Sequence, residues 1–274
     1  MKALTRRSAL SLTGASLVTL ALSACGSSSQ ASSTDAGDKL QAIKDSGTLR
    51  VGLEGTYAPW NYHNESGQLV GMEKDLADLI AADLGVKAEY IETQWDSLIA
   101  GVDSNRYDLV INNVSPTEER KQKYDFSTPY LASEGRVAVL ESSSLQKIED
   151  LKGATAASSE TSNFRTLLEA AGAKMTIVTG FDEAIEQVLT GRVDAVGNDA
   201  VTFAYYKEQH PDAPIRLLDG LLGEASQPAI LMPKGALSLQ KAINDSITKN
   251  LENGNLKAIY QKYVGLDLSP SAKA

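Results

Sequence analysis

Two side chains of opposite charge stand just beyond the ends of two apolar runs. Arg120 follows Tyr107-Asp108-Leu109-Val110-Ile111 and the amides Asn112 and Asn113, while Asp199 follows Val193-Asp194-Ala195-Val196 and Asn198. A guanidinium can grip a carboxylate with two parallel hydrogen bonds, and an aspartate can accept from an ammonium group. On facing walls the two would select a zwitterion, because a charge leaves water without a large penalty only when it is paired. Each also has a plainer reading. Arg120 can be a surface arginine on an exposed helix, and Asp199 can cap a helix that begins at Ala200. Ser115 and Glu118 fit a capping box, with Pro116 at the first helical position. Tyr57, Trp60 and Trp95 can pack a ligand's side chain or fill the core.

Catalytic constellations are sparse. There is no Gly-x-Ser-x-Gly elbow, Walker loop, His-Glu-x-x-His or Cys-x-x-Cys. Gly52-Leu53-Glu54-Gly55 follows a strand pattern but lacks the dinucleotide-binding spacing. His63 and His210 lie in polar, loop-like sequence and read as solvated. Glu118-Glu119 reads as the first turn of a helix, where carboxylates suit the dipole. No cofactor or metal is expected. The chain carries 26 basic and 35 acidic residues and shows no basic stripe, which excludes a nucleic-acid partner.

The elements that must hold these residues alternate between strand and helix. Strand patterns lie at Leu49–Leu53, Val86–Ile91, Tyr107–Ile111, Arg136–Leu140, Met175–Val178, Val193–Val196 and Pro228–Met232. Met72, Leu76, Leu79, Ile80 and Leu84 fall at helical spacing before Gly85, and Trp95, Leu98, Ile99 and Val102 mark a second helix. Further helices are expected from Phe164, at Asp182–Thr190 and twice within Leu237–Tyr263. Such alternation implies parallel sheets in an α/β protein. One internal echo adds to this. The segment Asp96–Asn113 aligns without gaps on Asp182–Asp199, with seven of eighteen positions identical and Trp95 paired with Phe181 just before. If the echo is structural, two similar α/β units face each other. Ligands of open α/β sheets bind beyond the carboxyl ends of the strands, which puts Asn112-Asn113 on one wall and Asn198-Asp199 on the other.

The N-terminus reads as an export signal rather than part of the fold. Lys2, Arg6 and Arg7 form a basic start, and Ala15–Ala24 is too short a run to span a bilayer. Leu22-Ser23-Ala24-Cys25 resembles the bacterial lipobox, in which the cysteine is diacylated and becomes the first residue. Cys25 is the only cysteine, so no internal disulfide is possible. Residues 25–38, rich in serine, read as a flexible tether. Cleavage removes three basic and no acidic residues, leaving 23 against 35 and a net charge of −12.

Longer motifs carry a resemblance. Glu54-Gly55-Thr56-Tyr57-Ala58-Pro59-Trp60, Thr93-Gln94-Trp95-Asp96-Ser97-Leu98, Arg120, Tyr124-Asp125-Phe126-Ser127-Thr128-Pro129-Tyr130, Leu151-Lys152-Gly153 and Gly191-Arg192-Val193-Asp194-Ala195 resemble the polar amino-acid branch of the bacterial extracellular solute-binding proteins, family 3. The similarity runs from about Leu40 to Gly265. It implies a two-lobed type II periplasmic-binding-protein fold, each lobe a mixed, mostly parallel sheet flanked by helices, closing about a two-strand hinge. Residues 39–136 and 228–267 would form lobe 1, residues 137–227 lobe 2, and 268–274 a tail. It further implies a monomeric, extracytoplasmic, lipid-anchored component of an ABC importer that delivers a polar amino acid to a membrane permease. Carried over residue by residue, Arg120 would hold the α-carboxylate with Ser115 and the backbone near Asn113, and Asp199 the α-ammonium. Tyr57 and Trp95 would sandwich the side chain, with Glu54, Trp60 and Asn112 shaping its pocket. Ser162 and Asn163 would add donors where the family's Gly-Thr turn is replaced by Thr161-Ser162-Asn163. The motif around Glu54, Trp95 and Asn112 is most similar to the cystine-binding branch, with glutamine or another polar amino acid as alternatives. The same fold serves secreted prephenate- or arogenate-type dehydratases, for which Glu54 is the one acid–base candidate, and ligand-sensing modules.

Overall fold

The structure is a computed structural model that describes residues 38–270. The signal, the lipobox Cys25 and the serine-rich stretch up to Gly37 lie outside the described residues.

The helix Met72–Leu84 shows how pattern becomes element. Its buried positions are Met72, Glu73, Leu76, Ala77, Ile80 and Ala81, one face at helical spacing. Gly85, at φ 74°, ends it by returning its N–H to the carbonyls of Ala81 and Ala82, since a left-handed residue at this point costs glycine no side-chain clash.

Two five-stranded sheets follow one plan. The first orders its strands Lys87–Glu92, Thr48–Leu53, Leu109–Val110, Leu231–Pro233 and Tyr124–Phe126. The second orders Lys174–Ile177, Thr155–Ser158, Ala195–Asp199, Gly135–Leu140 and Ile215–Leu217. In each, the first two pairings are parallel and the last two antiparallel. Parallel pairing therefore describes only half of each sheet. The antiparallel strands Gly135–Leu140 and Leu231–Pro233 are those that arrive directly from the other half of the molecule. They enter without the helical crossover that would set them parallel. A small antiparallel sheet of Thr56–Tyr57, Asn61–His63 and Leu69–Val70, which the periodicity did not signal, packs beside the helix Met72–Leu84.

The sequence echo is a structural one. Asn105 (φ 54°) and Gly191 (φ 68°), aligned positions, make the same left-handed turn. The N–H groups of Arg106 and Arg192 bond to the carbonyls of Gly101 and Gln187, both at 2.9 Å. Asp108 then accepts the N–H of Arg50, and Asp194 that of Thr155, pinning each strand to its neighbour. The copies differ in their helices: Phe181–Leu189 is continuous, whereas its counterpart breaks into Trp95–Leu98 and Ala100–Asp103.

The largest core lies around the first sheet and the helices Met72–Leu84, Leu237–Glu252 and Asn255–Val264. Two clusters, one led by Val137, Val139 and Leu168 and the other by Ile185, Val188 and Phe203, pack the second sheet. The chain crosses between sheets after Phe126 and returns before Leu231. These crossing segments pair at Ser133 and Ser226, each N–H bonding to the other's carbonyl at 2.9 and 2.8 Å. No helix among the described residues is long and apolar enough to cross a membrane.

Candidate functional site

The carboxyl ends of the central strands converge on one cavity. Thr48–Leu53 delivers Glu54, Leu109–Val110 delivers Asn112 and Asn113, and Tyr57 and Trp95 complete that wall. Opposite stand Ser159, Ser162, Asn163, Phe164, Gly180, Phe181 and Asn198, carried by the second sheet and its helices. The two walls enclose about 410 Å³ of empty space including the open mouth. Both echo pairs sit here: Trp95 faces the cavity as Phe181 does, and Asn112 as Asn198 does.

The walls touch directly. The Tyr57 hydroxyl donates to Asn198 Oδ1 at 2.6 Å and accepts from Thr202 at 3.3 Å. The Asp96 carboxylate accepts both the N–H and the hydroxyl of Thr161 at 2.9 Å. Burial, and then the nearby Asp199 charge, push the Tyr57 hydroxyl well above its ordinary range, so it stays protonated and can donate.

Arg120 lies beside this cavity rather than in its lining. It borders the adjoining opening with Thr161, Ser162 and Asn163. Its guanidinium donates to the Ser115 carbonyl at 3.0 Å and, across the cleft, to the Thr161 carbonyl at 2.9 Å, and lies 5.3 Å from the centre of the Trp95 ring. Among the described residues no carboxylate forms an ion pair with it. Burial pulls its pKa down to about 10, which leaves it charged at neutral pH.

Several expected residues do other work. The capping box at Ser115 and Glu118 does not form. The helix begins at Glu118, two residues after Pro116, because Thr117 takes the capping role by accepting the Arg120 N–H at 3.3 Å. Ser115 instead pairs its hydroxyl with that of Ser226 at 3.0 Å. Trp60 does not shape the pocket: it is fully buried in the first core, with Nε1 donating to Thr202 at 2.9 Å. Asp199 is fully buried and caps the helix Ala200–Gln209, accepting from the Val201 N–H at 2.9 Å and from the Ser133 hydroxyl. It stands behind Asn198 rather than in the lining. Ser162 caps the helix Asn163–Ala170 by accepting the Phe164 N–H at 3.2 Å, and that helix N-terminus faces the cavity. Both histidines are exposed, as expected, and each makes a surface contact. His63 bonds to the Gly55 carbonyl and lies 3.3 Å from Glu92, and the His210 ring packs on Tyr206.

Glu54 and a residue that sequence reasoning missed, Glu73, give the site its electrostatics. Burial pushes Glu54 up to about 7 against the hydrogen bond from Asn112, with help from the charges of Glu73, Asp182 and Asp96. Glu73 is 1% exposed, and burial pushes it also to about 7 against three hydrogen bonds. It was detectable: Glu73 shares the buried face with Leu76, Ala77 and Ile80, so a carboxylate interrupts an apolar stripe. Asn61, Ser159, Phe164 and Gly180 carried no such signal. Phe181 did, through its pairing with Trp95. No group of three or more His, Cys, Asp or Glu among the described residues is placed to hold a metal ion.

Residues 49–266 match the family of bacterial extracellular solute-binding proteins, family 3. The chain is 36% identical over 236 residues to a probable amino-acid ABC transporter-binding protein of Haemophilus influenzae, covering 85% of this chain and 91% of that one. It is also 36% identical over 254 residues to the L-cystine-binding protein TcyA of Bacillus subtilis, covering 91% and 94%. Among solved structures, an ancestral arginine-binding protein bound to arginine superposes with a TM-score of 0.75 at 34% identity, over 80% of this chain and 99% of that one. With the type II periplasmic-binding-protein fold and a cavity between its two sheets, the chain belongs to the bacterial extracellular solute-binding proteins, family 3.

Proposed function

We propose that this protein is the lipid-anchored substrate-binding component of an ABC importer, capturing a polar amino acid, cystine foremost, and presenting it to a membrane permease. One observation carries the reading: Arg120, a charged and desolvated guanidinium without a carboxylate partner among the described residues, borders a polar cavity between two halves that touch across it. Of its five N–H groups, two are committed to the Ser115 and Thr161 carbonyls. The rest of the fork suits a ligand α-carboxylate, assisted by the helix N-terminus at Ser162 and Asn163.

Glu54, in the lining, supplies negative charge for an ammonium group. Asp199, behind Asn198 and Tyr57, adds to the negative potential there and is the second candidate. Tyr57 and Trp95, with Phe181 opposite, offer aromatic faces to the side chain. The Ser133–Ser226 crossing is the natural hinge between lobes, and Cys25 tethers the domain beside its permease. Support for cystine comes from the relatives, TcyA among them, and from a lining with acid and amide groups beyond those one zwitterionic end requires.

Isothermal calorimetry against the twenty amino acids and cystine tests this. Micromolar or tighter binding of one or a few is expected, and silence from all would refute it.

A further inference from the structure

A buried polar chain runs from the first core to the cavity. Glu73 sits at the start of the helix Met72–Leu84 because Gly71 (φ 133°) lets the chain pass against the Trp60 carbonyl, where an added Cβ would collide. The Glu73 N–H then bonds to that carbonyl at 2.9 Å. Its carboxylate accepts from the Asn113 N–H at 2.5 Å, the Tyr130 hydroxyl at 2.5 Å and Asn61 Nδ2 at 2.9 Å. Asn61 Nδ2 also reaches Asn112 Oδ1 at 3.0 Å, and Asn112 Nδ2 donates to Glu54 Oε2 at 2.6 Å.

The direction of every bond in this chain is determined. Backbone N–H groups only donate, so the Gly55 N–H, 2.8 Å from Asn61 Oδ1, and the Glu54 N–H, 2.9 Å from Asn112 Oδ1, fix both amide orientations. Each NH2 must therefore point at a carboxylate: Asn61 at Glu73, Asn112 at Glu54. The Glu73 carboxylate is the acceptor that the Asn61 NH2, so oriented, requires. Glu73 also holds the N–H of Asn113, a non-glycine residue at φ 48° that lines the cavity.

We infer that Glu73, which does not line the cavity, is a positioning residue for it, its carboxylate anchoring the Asn61–Asn112 relay behind Glu54 and holding Asn113 at the cavity wall. This rests on the cavity being the ligand site proposed above. It makes Glu73 a determinant of which distal groups the ligand may carry. Because Glu54 and Glu73 share the relay and burial raises both, capture of a cationic group, which favours the carboxylate forms, is linked to proton release. The charged groups bearing on Glu54 are Glu73, Asp96 and Asp182, with the Tyr57 hydroxyl nearby. Those bearing on Glu73 are Asp199 and the hydroxyls of Tyr130 and Tyr260.

The test compares wild type, E73Q and Y130F. The amide introduced by E73Q must set an NH2 against either Asn61 Nδ2 or the Asn113 and Tyr130 donors, so one contact is lost whichever way it turns. Calorimetry with cystine, arginine, glutamine and histidine between pH 5 and 9 should show E73Q, folded by circular dichroism, binding about tenfold or more weakly, with a changed ligand ranking and a changed pH profile. Y130F removes one donor from Glu73 and touches nothing in the cavity, so it should move the pH profile while keeping the ranking. Ligand-free spectra of the Asn61 and Asn112 side-chain amides give an independent readout. Both should shift with pH in wild type, and the Asn112 response should change in E73Q.

An unchanged ranking and pH profile in both variants, or an Asn112 amide indifferent to position 73, overturns the inference. A uniform loss with the wild-type pH profile means that Glu73 only supports the fold. If wild type binds none of the twenty amino acids or cystine while the amide responses appear as expected, the amino-acid reading fails and the relay stands.

Discussion

Removing the guanidinium of Arg120 should weaken ligand binding far more than it weakens the fold. In the ligand-free protein R120A loses two hydrogen bonds to carbonyls, Ser115 at 3.0 Å and Thr161 at 2.9 Å. Each is worth about 1 kcal/mol, and only the Thr161 bond spans the cleft. With ligand bound, the variant loses a desolvated, charge-assisted pair, about 2–5 kcal/mol. At about 1.4 kcal/mol per tenfold, the dissociation constant should rise about 30-fold to about 4000-fold, while the melting temperature falls by a few degrees. R120K separates charge from fork. An ammonium keeps the charge but cannot hold the ligand and both carbonyls in one plane, so its affinity should lie between wild type and R120A. Calorimetry with the best ligand, alongside differential scanning fluorimetry, reads both quantities. A loss below about tenfold for R120A, at these energies, would refute the carboxylate role and leave Arg120 as a bridge between walls.

Asp96→Ala should cost about 1 kcal/mol, or roughly fivefold in affinity, by releasing Thr161 from the opposite wall; stopped-flow measurements should place most of it in a faster off-rate. Trp60→Phe should lower stability by about 1–3 kcal/mol, because the buried Thr202 hydroxyl loses its donor and keeps only its bond to Tyr57, and leave ligand ranking intact; a changed ranking at constant melting temperature would return Trp60 to the pocket. Glu54 and Glu73, both raised to about 7 by burial, bind more protons folded than unfolded between about pH 4.5 and 7. Stability should thus fall as pH rises through that window. Melting temperatures from pH 5 to 8 should show this slope in wild type and a shallower one in E73Q, and a rising curve would contradict the assignment.

What the sequence made legible was whatever depends on period and on chain neighbours. The helix Met72–Leu84 and its Gly85 cap follow from spacing alone, and the echo between Asp96–Asn113 and Asp182–Asp199 located two strand ends that share one cavity. What it hid depends on partners distant in the chain. Whether Trp60 fills core or cleft is decided by Thr202, 142 positions later. Asp199 is drawn to helix capping and to Ser133 because a buried carboxylate takes the nearest donors. The Ser115 capping box lost to a neighbour: Thr117, an equally suitable cap two residues on, accepts the Arg120 N–H instead. The antiparallel halves of the sheets were invisible because strand direction follows from where the chain crosses between halves, which periodicity does not encode.

The order in which the two halves can be completed during synthesis follows from those crossings. All strands of the second sheet lie between Gly135 and Leu217, in one uninterrupted stretch. The first sheet needs Leu231–Pro233, which inserts between Leu109–Val110 and Tyr124–Phe126, and then the helices Leu237–Glu252 and Asn255–Val264 over its core. The half that starts first therefore finishes last, with an unfilled slot in its sheet until the chain is nearly complete. An open strand slot is a template for the wrong strand, and pairing across so long a separation is slow. Truncation within the last forty or so residues should leave a folded second half attached to an aggregation-prone first half. Completion of the first half is therefore tied to the arrival of its C-terminal helices.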